Sequence, residues 1–283
     1  MKLGWLRRKP KTRKIGLALG GGGARGLAHI HVLEVLDELG IRPHRIAGTS
    51  IGAVIGALYA SGLTGSEIRT LVQQWQTPHP EKKPGLLDRH DLRRWATLLD
   101  PSFGRSGLFK GEKIIRFLAD FIRCNTFEAL PVPLSVVAAD YSDASEVVLH
   151  SGDLLSAVRA SIAIPGVFTP VERDGRLLLD GGVVNPLPYN LLQDECDLVI
   201  AVDVGGTRVV VEGHRPTFFD TVIGGFEIME AALIRERICS NPPDIYLKPD
   251  LRRIGLLDFY RADQILAQSY PVREQLRERL RPN

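Results

Sequence analysis

The sequence predicts a mixed α/β fold built on a sheet with parallel strands. Three observations carry that expectation. Between Ile15 and Ala60 the chain opens as strand, glycine loop, helix, strand, turn and helix. Leu198–Val202 is a continuous apolar run of the kind a central strand shows. Of 283 residues, 44% are hydrophobic and 24% charged, which allows a sizeable core and excludes a disordered or fibrous chain. The length fits roughly two average domains. No repeat and no linker divides the chain, however, so one domain over 15–283 with an inserted cap is expected.

Each element has its own local reason. Ile15–Leu19 is short and apolar, as a buried strand is, and the glycines at 20–23 end it. Ala28, Ile30, Val32, Leu33, Val35, Leu36 and Leu39 recur at helical spacing up to Gly40, a stop signal. A short strand over 45–47 follows, then Ile51–Ala60, small and apolar enough for a helix buried on most sides. The stretch 77–107 changes character: it holds Pro78, Pro80, Pro84 and Pro101, and only 92–99 reads as helix. An insertion of this length is expected to serve as a lid or a substrate surface, with Phe103, Leu108 and Phe109 read as core packing rather than an acyl channel. Beyond it, 111–122 reads as an amphipathic helix, 134–139 and 147–150 as strands, and Leu154–Ser161 as a helix ended by Pro165. Residues 167–171 and 176–179 form a hairpin around Asp174-Gly175. The chain then runs through the strand Leu198–Val202, a helix over 217–238, the short strand Ile245–Leu247 and a closing helix over 262–280.

Charge and cysteine content remove several function classes. Lys and Arg number 36 and Asp and Glu 33, a net charge of +3, too weak to imply nucleic acid. Cys124, Cys196 and Cys239 have no metal-ligand spacing and cannot all pair, which fits a reducing compartment. No apolar run approaches the roughly 18 residues of a membrane span. Residues 1–14 carry seven basic side chains (Lys2, Arg7, Arg8, Lys9, Lys11, Arg13, Lys14) and no acid. The apolar run behind them is too short for a signal peptide, so a basic tail on a cytoplasmic protein is expected. With Trp5 and Leu6 this tail is a candidate for peripheral contact with anionic lipid at the inner membrane face; a disordered, solubilising tail is the alternative.

Three motifs are placed to carry chemistry. Gly48-Thr49-Ser50-Ile51-Gly52 has the G-x-S-x-G pattern between a strand and a helix, where a tight turn exposes the serine hydroxyl. The pentapeptide alone also fits a helix N-cap serine beside packing glycines. Gly20 to Gly26 contains G-x-G-x-x-G as Gly21, Gly23 and Gly26, with Gly22, Ala24 and Arg25 between them. A dinucleotide site would need an acid roughly 20 positions on, at the end of the second strand, and that strand ends in Gly48-Thr49-Ser50 instead. Free N–H groups at a helix start suit another anion: a phosphate, or the oxyanion of an acyl intermediate formed at the neighbouring serine. Arg25 either adds positive potential there or is a solvated arginine. Third, Asp180-Gly181-Gly182 follows three leucines, which would desolvate the carboxylate and make it a better base; alone it also fits an Asp-Gly turn. Among seven histidines only His214 lies late enough for an α/β-hydrolase triad, and it falls in a polar loop.

In this order the motifs resemble the patatin-like phospholipase family, in particular the single-domain bacterial branch related to the catalytic domain of neuropathy target esterase. Gly21 to Gly26 match its glycine-rich motif, Gly48 to Gly52 its serine elbow and Asp180 to Gly182 its Asp-Gly-Ala/Gly motif, while Ala160 to Phe168 resemble the segment before the aspartate. The resemblance runs from about Ile15 to Val204. It implies a three-layer α/β/α sandwich with a mainly parallel sheet and a Ser50–Asp180 dyad without histidine. Ser50 would be the nucleophile, Asp180 the proton acceptor, and Gly22 and Gly23 the oxyanion hole. The implied reaction is hydrolysis of a fatty acyl ester of a phospholipid or lysophospholipid through an acyl-Ser50 intermediate, with no metal or other cofactor. An acyltransferase using the same acyl-serine and a non-catalytic lipid- or phosphate-binding module remain the alternatives.

Overall fold

The computed structural model describes residues 13–76, 100–102, 107–206 and 217–281. Residues 1–12 of the expected basic tail, most of the expected cap at 77–107 with Phe103 and the helix read at 92–99, and the loop holding His214 lie outside the described residues.

In chain order the strands are β1 Ile15–Leu19, β2 Arg45–Thr49, β3 Gly107–Phe109, β4 Leu134–Asp140, β5 Ser145–Leu149, β6 Gly166–Phe168, β7 Val171–Arg173, β8 Arg176–Asp180, β9 Leu198–Val202 and β10 Ile245–Leu247. The helices are α1 His29–Glu38, α2 Ile51–Ala60, α3 Gly65–Gln76, α4 Glu112–Ala119, α5 Leu154–Ser161, α6 Phe218–Ser240, α7 Ala262–Ser269 and α8 Val272–Leu280. Strands β10, β9, β1, β2 and β4 lie side by side, all parallel. Strands β5, β7 and β8 complete the sheet in antiparallel pairings.

Side chains alternate between faces along a strand, and the two faces meet different layers. Leu17, Leu19, Ile46, Leu134, Val136 and Ile200 face a large core closed by α1, α2, α5, α7 and α8. Ala18, Ala47, Val199 and Ala201 face the opposite layer, formed by Leu187, Tyr189 and Leu192 with Ile234 of α6. Helices thus cover both faces, which explains why β1 and β9 read as continuous apolar runs rather than alternating ones. The fold is the expected three-layer α/β/α sandwich.

The neighbours of β4 fix where the site lies. Strand β5 occupies one edge of β4 from Val136 to Asp140. The other edge is divided end to end: β2 takes it as far as Thr49 opposite Val137, and β8 takes it from Asp180 opposite Ala138. Because β2 runs parallel to β4 and β8 antiparallel, their two C-terminal ends meet head-on.

The structure corrects several expectations. The hairpin consists of β7 and β8 alone; Thr169-Pro170 interrupts the chain, and residues 166–168 pair instead with β3 in a separate two-stranded sheet. The closing helix is two helices, since Pro271 lacks the N–H that a continuous helix would need there. Helix α3 is not among the expected elements, although Thr64 and Glu67 form its N-terminal capping box: the Thr64 N–H and hydroxyl donate to Glu67 Oε2, and the Glu67 N–H donates to Thr64 Oγ1. Leu108 is 54% exposed and so does not join a core, whereas Phe109 packs on Phe168. The three cysteines are free. No described helix is long and apolar enough to cross a membrane.

Leu33 is fully buried between α1 and the sheet core. Leu33→Ala should cost about 2–5 kcal/mol, from lost transfer energy and the cavity left behind, read as a lower denaturant midpoint at unchanged slope.

Candidate active site

Ser50 stands between the last residue of β2 and the first of α2, in the N-cap position. Its side chain does not cap the helix. Instead the hydroxyl donates to Asp180 Oδ2 at 2.7 Å. The serine adopts φ 54° and ψ −123°, a conformation that costs a non-glycine residue about 1–3 kcal/mol and that the surroundings must enforce. Those surroundings are identifiable. The Ser50 N–H donates to Ser161 Oγ at 2.9 Å, and the Ser161 hydroxyl donates in turn to the Val137 carbonyl at 2.6 Å. Gly52 permits the turn, because a Cβ there would run into the Leu19 carbonyl of β1. Thr49 ties the end of β2 to the Asn185 carbonyl at 2.7 Å through its hydroxyl. Gly48 and Ile51 complete the elbow on either side, the latter within a helix buried along its whole length.

Asp180 ends β8, where its N–H donates to the Ala163 carbonyl at 3.0 Å. Its Oδ1 accepts from the Gly182 N–H at 2.7 Å, so the carboxylate closes a turn over Gly181 and also receives the serine. Both readings of this aspartate therefore describe the same side chain. Burial drives its pKa from 3.8 up to about 7, against the hydrogen bonds from Ser50 and Gly182, which pull it down. A carboxyl poised there gives and takes a proton near neutral pH.

The glycine loop lies on the adjacent strand, β1, as the parallel pairing requires. A Cβ on Gly21 would stand 3.5 Å from Ser50 Cβ, so loop and serine adjoin. The N–H groups of Gly20, Gly21 and Ala24 donate to the carbonyls of Val202, Pro186 and Leu256. Among the described residues no acceptor takes the N–H of Gly22 or Gly23. Gly23 has φ 58°, and a Cβ on it would collide with the Leu256 carbonyl, so the loop needs glycine here. Gly26 packs directly on Ile51 of the elbow helix.

Arg25 is 3% exposed and not solvated. Its guanidinium donates to the carbonyls of Val204 at 3.2 Å and Ile254 at 2.9 Å and pairs with Glu227 of α6 at 2.7 Å. It holds the loop in place rather than supplying a spare charge. His29 is fully buried and faces the Gly20 carbonyl at 2.9 Å through Nε2, which must therefore carry the proton; burial lowers its pKa to about 4.

The structure thus brings together the three motifs singled out in the sequence. It adds two residues that sequence reasoning missed: Ser161, which belongs to the segment before the aspartate, and Glu230 of α6. The resemblance of the segment 160–168 is the one signal near Ser161, without singling out its hydroxyl; no local pattern marks Glu230. Among the described residues no group of three or more His, Cys, Asp or Glu side chains is placed to hold a metal ion.

Fold and site together define a three-layer α/β protein with a buried serine–carboxylate pair beside a glycine loop. Residues 17–192 match the profile of the patatin-like phospholipase family, and the chain belongs to that family. An uncharacterized NTE family protein of Mycobacterium tuberculosis is 41% identical over 202 residues, covering 71% of this chain and 52% of its own length. The human patatin-like phospholipase domain-containing protein 6 is 29% identical over 284 residues, 90% of this chain and 20% of its own. The chain spans about half the length of the first of these relatives and less of the second. VipD from Legionella pneumophila shares the fold with a TM-score of 0.50 at 13% identity, over 95% of this chain and 67% of that one.

Ser161→Ala would leave the Ser50 N–H without its acceptor and free the strained turn. It should slow phosphonylation of Ser50 by a fluorophosphonate about tenfold, the equivalent of one hydrogen bond of about 1–1.5 kcal/mol, while circular dichroism stays unchanged.

Proposed function

We propose that the protein is a serine-dependent lipid acyl hydrolase that cleaves fatty acyl esters through an acyl-Ser50 intermediate. One observation carries this reading: the hydroxyl of a strained serine donates to a buried carboxylate at 2.7 Å instead of capping its helix. The N–H groups of Gly22 and Gly23 support it, being uncommitted on the neighbouring strand's loop. Membership of the patatin-like phospholipase family supports a lipid as the source of the ester.

In this mechanism the Ser50 proton moves to Asp180 while Oγ attacks the ester carbonyl carbon. The carbonyl oxygen becomes an oxyanion between the N–H groups of Gly22 and Gly23, backed by the start of the helical segment at Gly23. Collapse breaks the bond to the alcohol oxygen, which leaves with the proton held by Asp180. Water then gives a proton to Asp180 and attacks the acyl carbon; the fatty acid departs and Ser50 recovers its proton. Every transfer uses one carboxyl, so no histidine is needed. His29, the buried histidine at the loop, has its Nε2 committed to a carbonyl.

Three outcomes are expected. Fluorophosphonate labelling should vanish in Ser50→Ala and persist in Ser61→Ala, whose hydroxyl only donates to the Leu58 carbonyl within its own helix end. Asp180→Asn should lower kcat by at least roughly 100-fold, the usual lower range for a general base. For the wild type, Asp180 must be ionised to accept the proton, so kcat/KM should rise with pH and level off once pH passes about 7. A wild-type profile still flat at pH 5 would show that another group is the base.

A further inference from the structure

Helix α6 runs beside the site and is fastened both to the Asp-Gly-Gly turn and to the glycine loop. Phe226 reaches Gly182, Glu227 pairs with Arg25 of the glycine loop, and Arg237 donates to the Val184 carbonyl. These positions recur at helical spacing, and Glu230 stands in the middle of the same stripe. It is 6% exposed. A Cβ on Gly182 would collide with Glu230 Oε1, and one on Gly21 would stand 3.8 Å from it. The carboxyl therefore fills the space between the Asp-Gly-Gly turn and the glycine loop, the two motifs that flank Ser50.

Nothing among the described residues hydrogen-bonds to that carboxyl. The charged groups facing it are Asp180 on the turn, Arg25 on the loop, Glu227 on its own helix and Asp203 after β9. The single cation of the set, Arg25, already serves Glu227 and two carbonyls. A buried polar group of this kind, aimed into a site and lacking a partner in the protein, is left to pair with water or with what binds there. Its burial and the charge of Asp180 raise its pKa from 4.5 to about 8, so at neutral pH it carries a proton and can donate.

We propose that Glu230 is a second functional carboxyl of this site, whose O–H hydrogen-bonds to the alcohol oxygen of the bound ester and positions it beside Asp180. The side of the ester follows from which donors are uncommitted. Glu230 Oε1 crowds Gly182, whose N–H is held by Asp180, and the N–H groups left free for a carbonyl oxygen are those of Gly22 and Gly23. The carbonyl oxygen goes to the loop and the alcohol oxygen faces Glu230. The assignment rests on the acyl-serine reading. Once Glu230 ionises, it turns acceptor oxygens toward the ester and adds a second negative charge opposite Asp180.

The test compares Glu230→Gln, Glu230→Ala and Ser50→Ala with the wild type on p-nitrophenyl butyrate and on phosphatidylcholine vesicles. The wild-type rate should fall as pH rises past about 8; Gln keeps an N–H donor but cannot ionise, so E230Q should lack that fall. Loss of the donor in E230A should lower kcat about tenfold below E230Q, with KM within about twofold. Melting temperatures give a reading independent of turnover. A carboxyl whose folded pKa lies above its unfolded value stabilises the fold fully below pH 4.5 and loses that contribution as pH rises through about 8. E230Q cannot lose it, so its melting temperature should gain at least about 2 °C on the wild type between pH 5 and pH 9. An alkaline fall shared by wild type and E230Q, or a melting difference that does not change with pH, would overturn the role of Glu230 and leave the acyl-serine reading standing. Hydrolysis by Ser50→Ala at the wild-type rate would overturn both.

Discussion

Two strands that run toward each other along one edge of β4 create the site. Strand β2 stops opposite Val137 and β8 stops opposite Ala138, so Ser50 and Asp180 arrive at adjacent positions from opposite directions. Such a junction breaks the ladder, and the backbone groups at the break need partners other than a neighbouring strand. The end of α5 and the residues just after it provide them. Ser161 takes the Ser50 N–H and serves the Val137 carbonyl, and the Ala163 carbonyl takes the Asp180 N–H. One short stretch of chain thus braces both members of the pair. It also commits the Ser50 N–H, leaving the uncommitted donors on the glycine loop.

The loop itself is anchored from several directions. Gly20 and Gly21 donate to Val202 and Pro186, Ala24 to Leu256, and His29 to Gly20. Arg25 gives its charge to Glu227 and its remaining hydrogen bonds to two carbonyls. Buried guanidinium groups are tolerated when paired and fully engaged in this way, and removing one partner of such a pair is costly. Positive potential at the uncommitted N–H groups then comes from oriented peptide dipoles, whose positions are fixed before any ligand arrives. A side chain would have to be ordered for the same task; the anchored backbone already is.

Local features were legible in the sequence, and long-range ones were not. The strand–loop–helix–strand opening, the elbow at Ser50 and the Asp-Gly-Gly turn each announce themselves within a few residues, because glycine and apolar spacing act over that range. Residues 166–168 escape such reading because their pairing with β3 joins segments almost sixty positions apart in sequence. Pro271 marks a break that the helical spacing on either side conceals. Helix α3 does carry local signals, Thr64 and Glu67 at its start and Ile68, Leu71, Val72 and Trp75 at helical spacing, set among polar residues. Ser161 and Glu230 are a different case. A serine near a helix end and a glutamate in mid-helix are ordinary on their own, and only the head-on junction and the course of α6 give them their neighbours.

The same junction divides the chain into parts that tolerate changes of length and parts that do not. Successive residues of a strand face opposite sides of the sheet, so one residue inserted between Leu178 and Asp180 would turn the carboxylate into the other layer and away from the serine. An extra residue at Asp174-Gly175 carries no such penalty, because that turn is exposed and lies at the far end of the hairpin. Homologous chains should therefore differ freely in the length of the turn while keeping β8 at a constant count of residues up to the aspartate. Insertions sorted by position along this hairpin would record where the Ser50–Asp180 pair constrains evolution and where only the fold does.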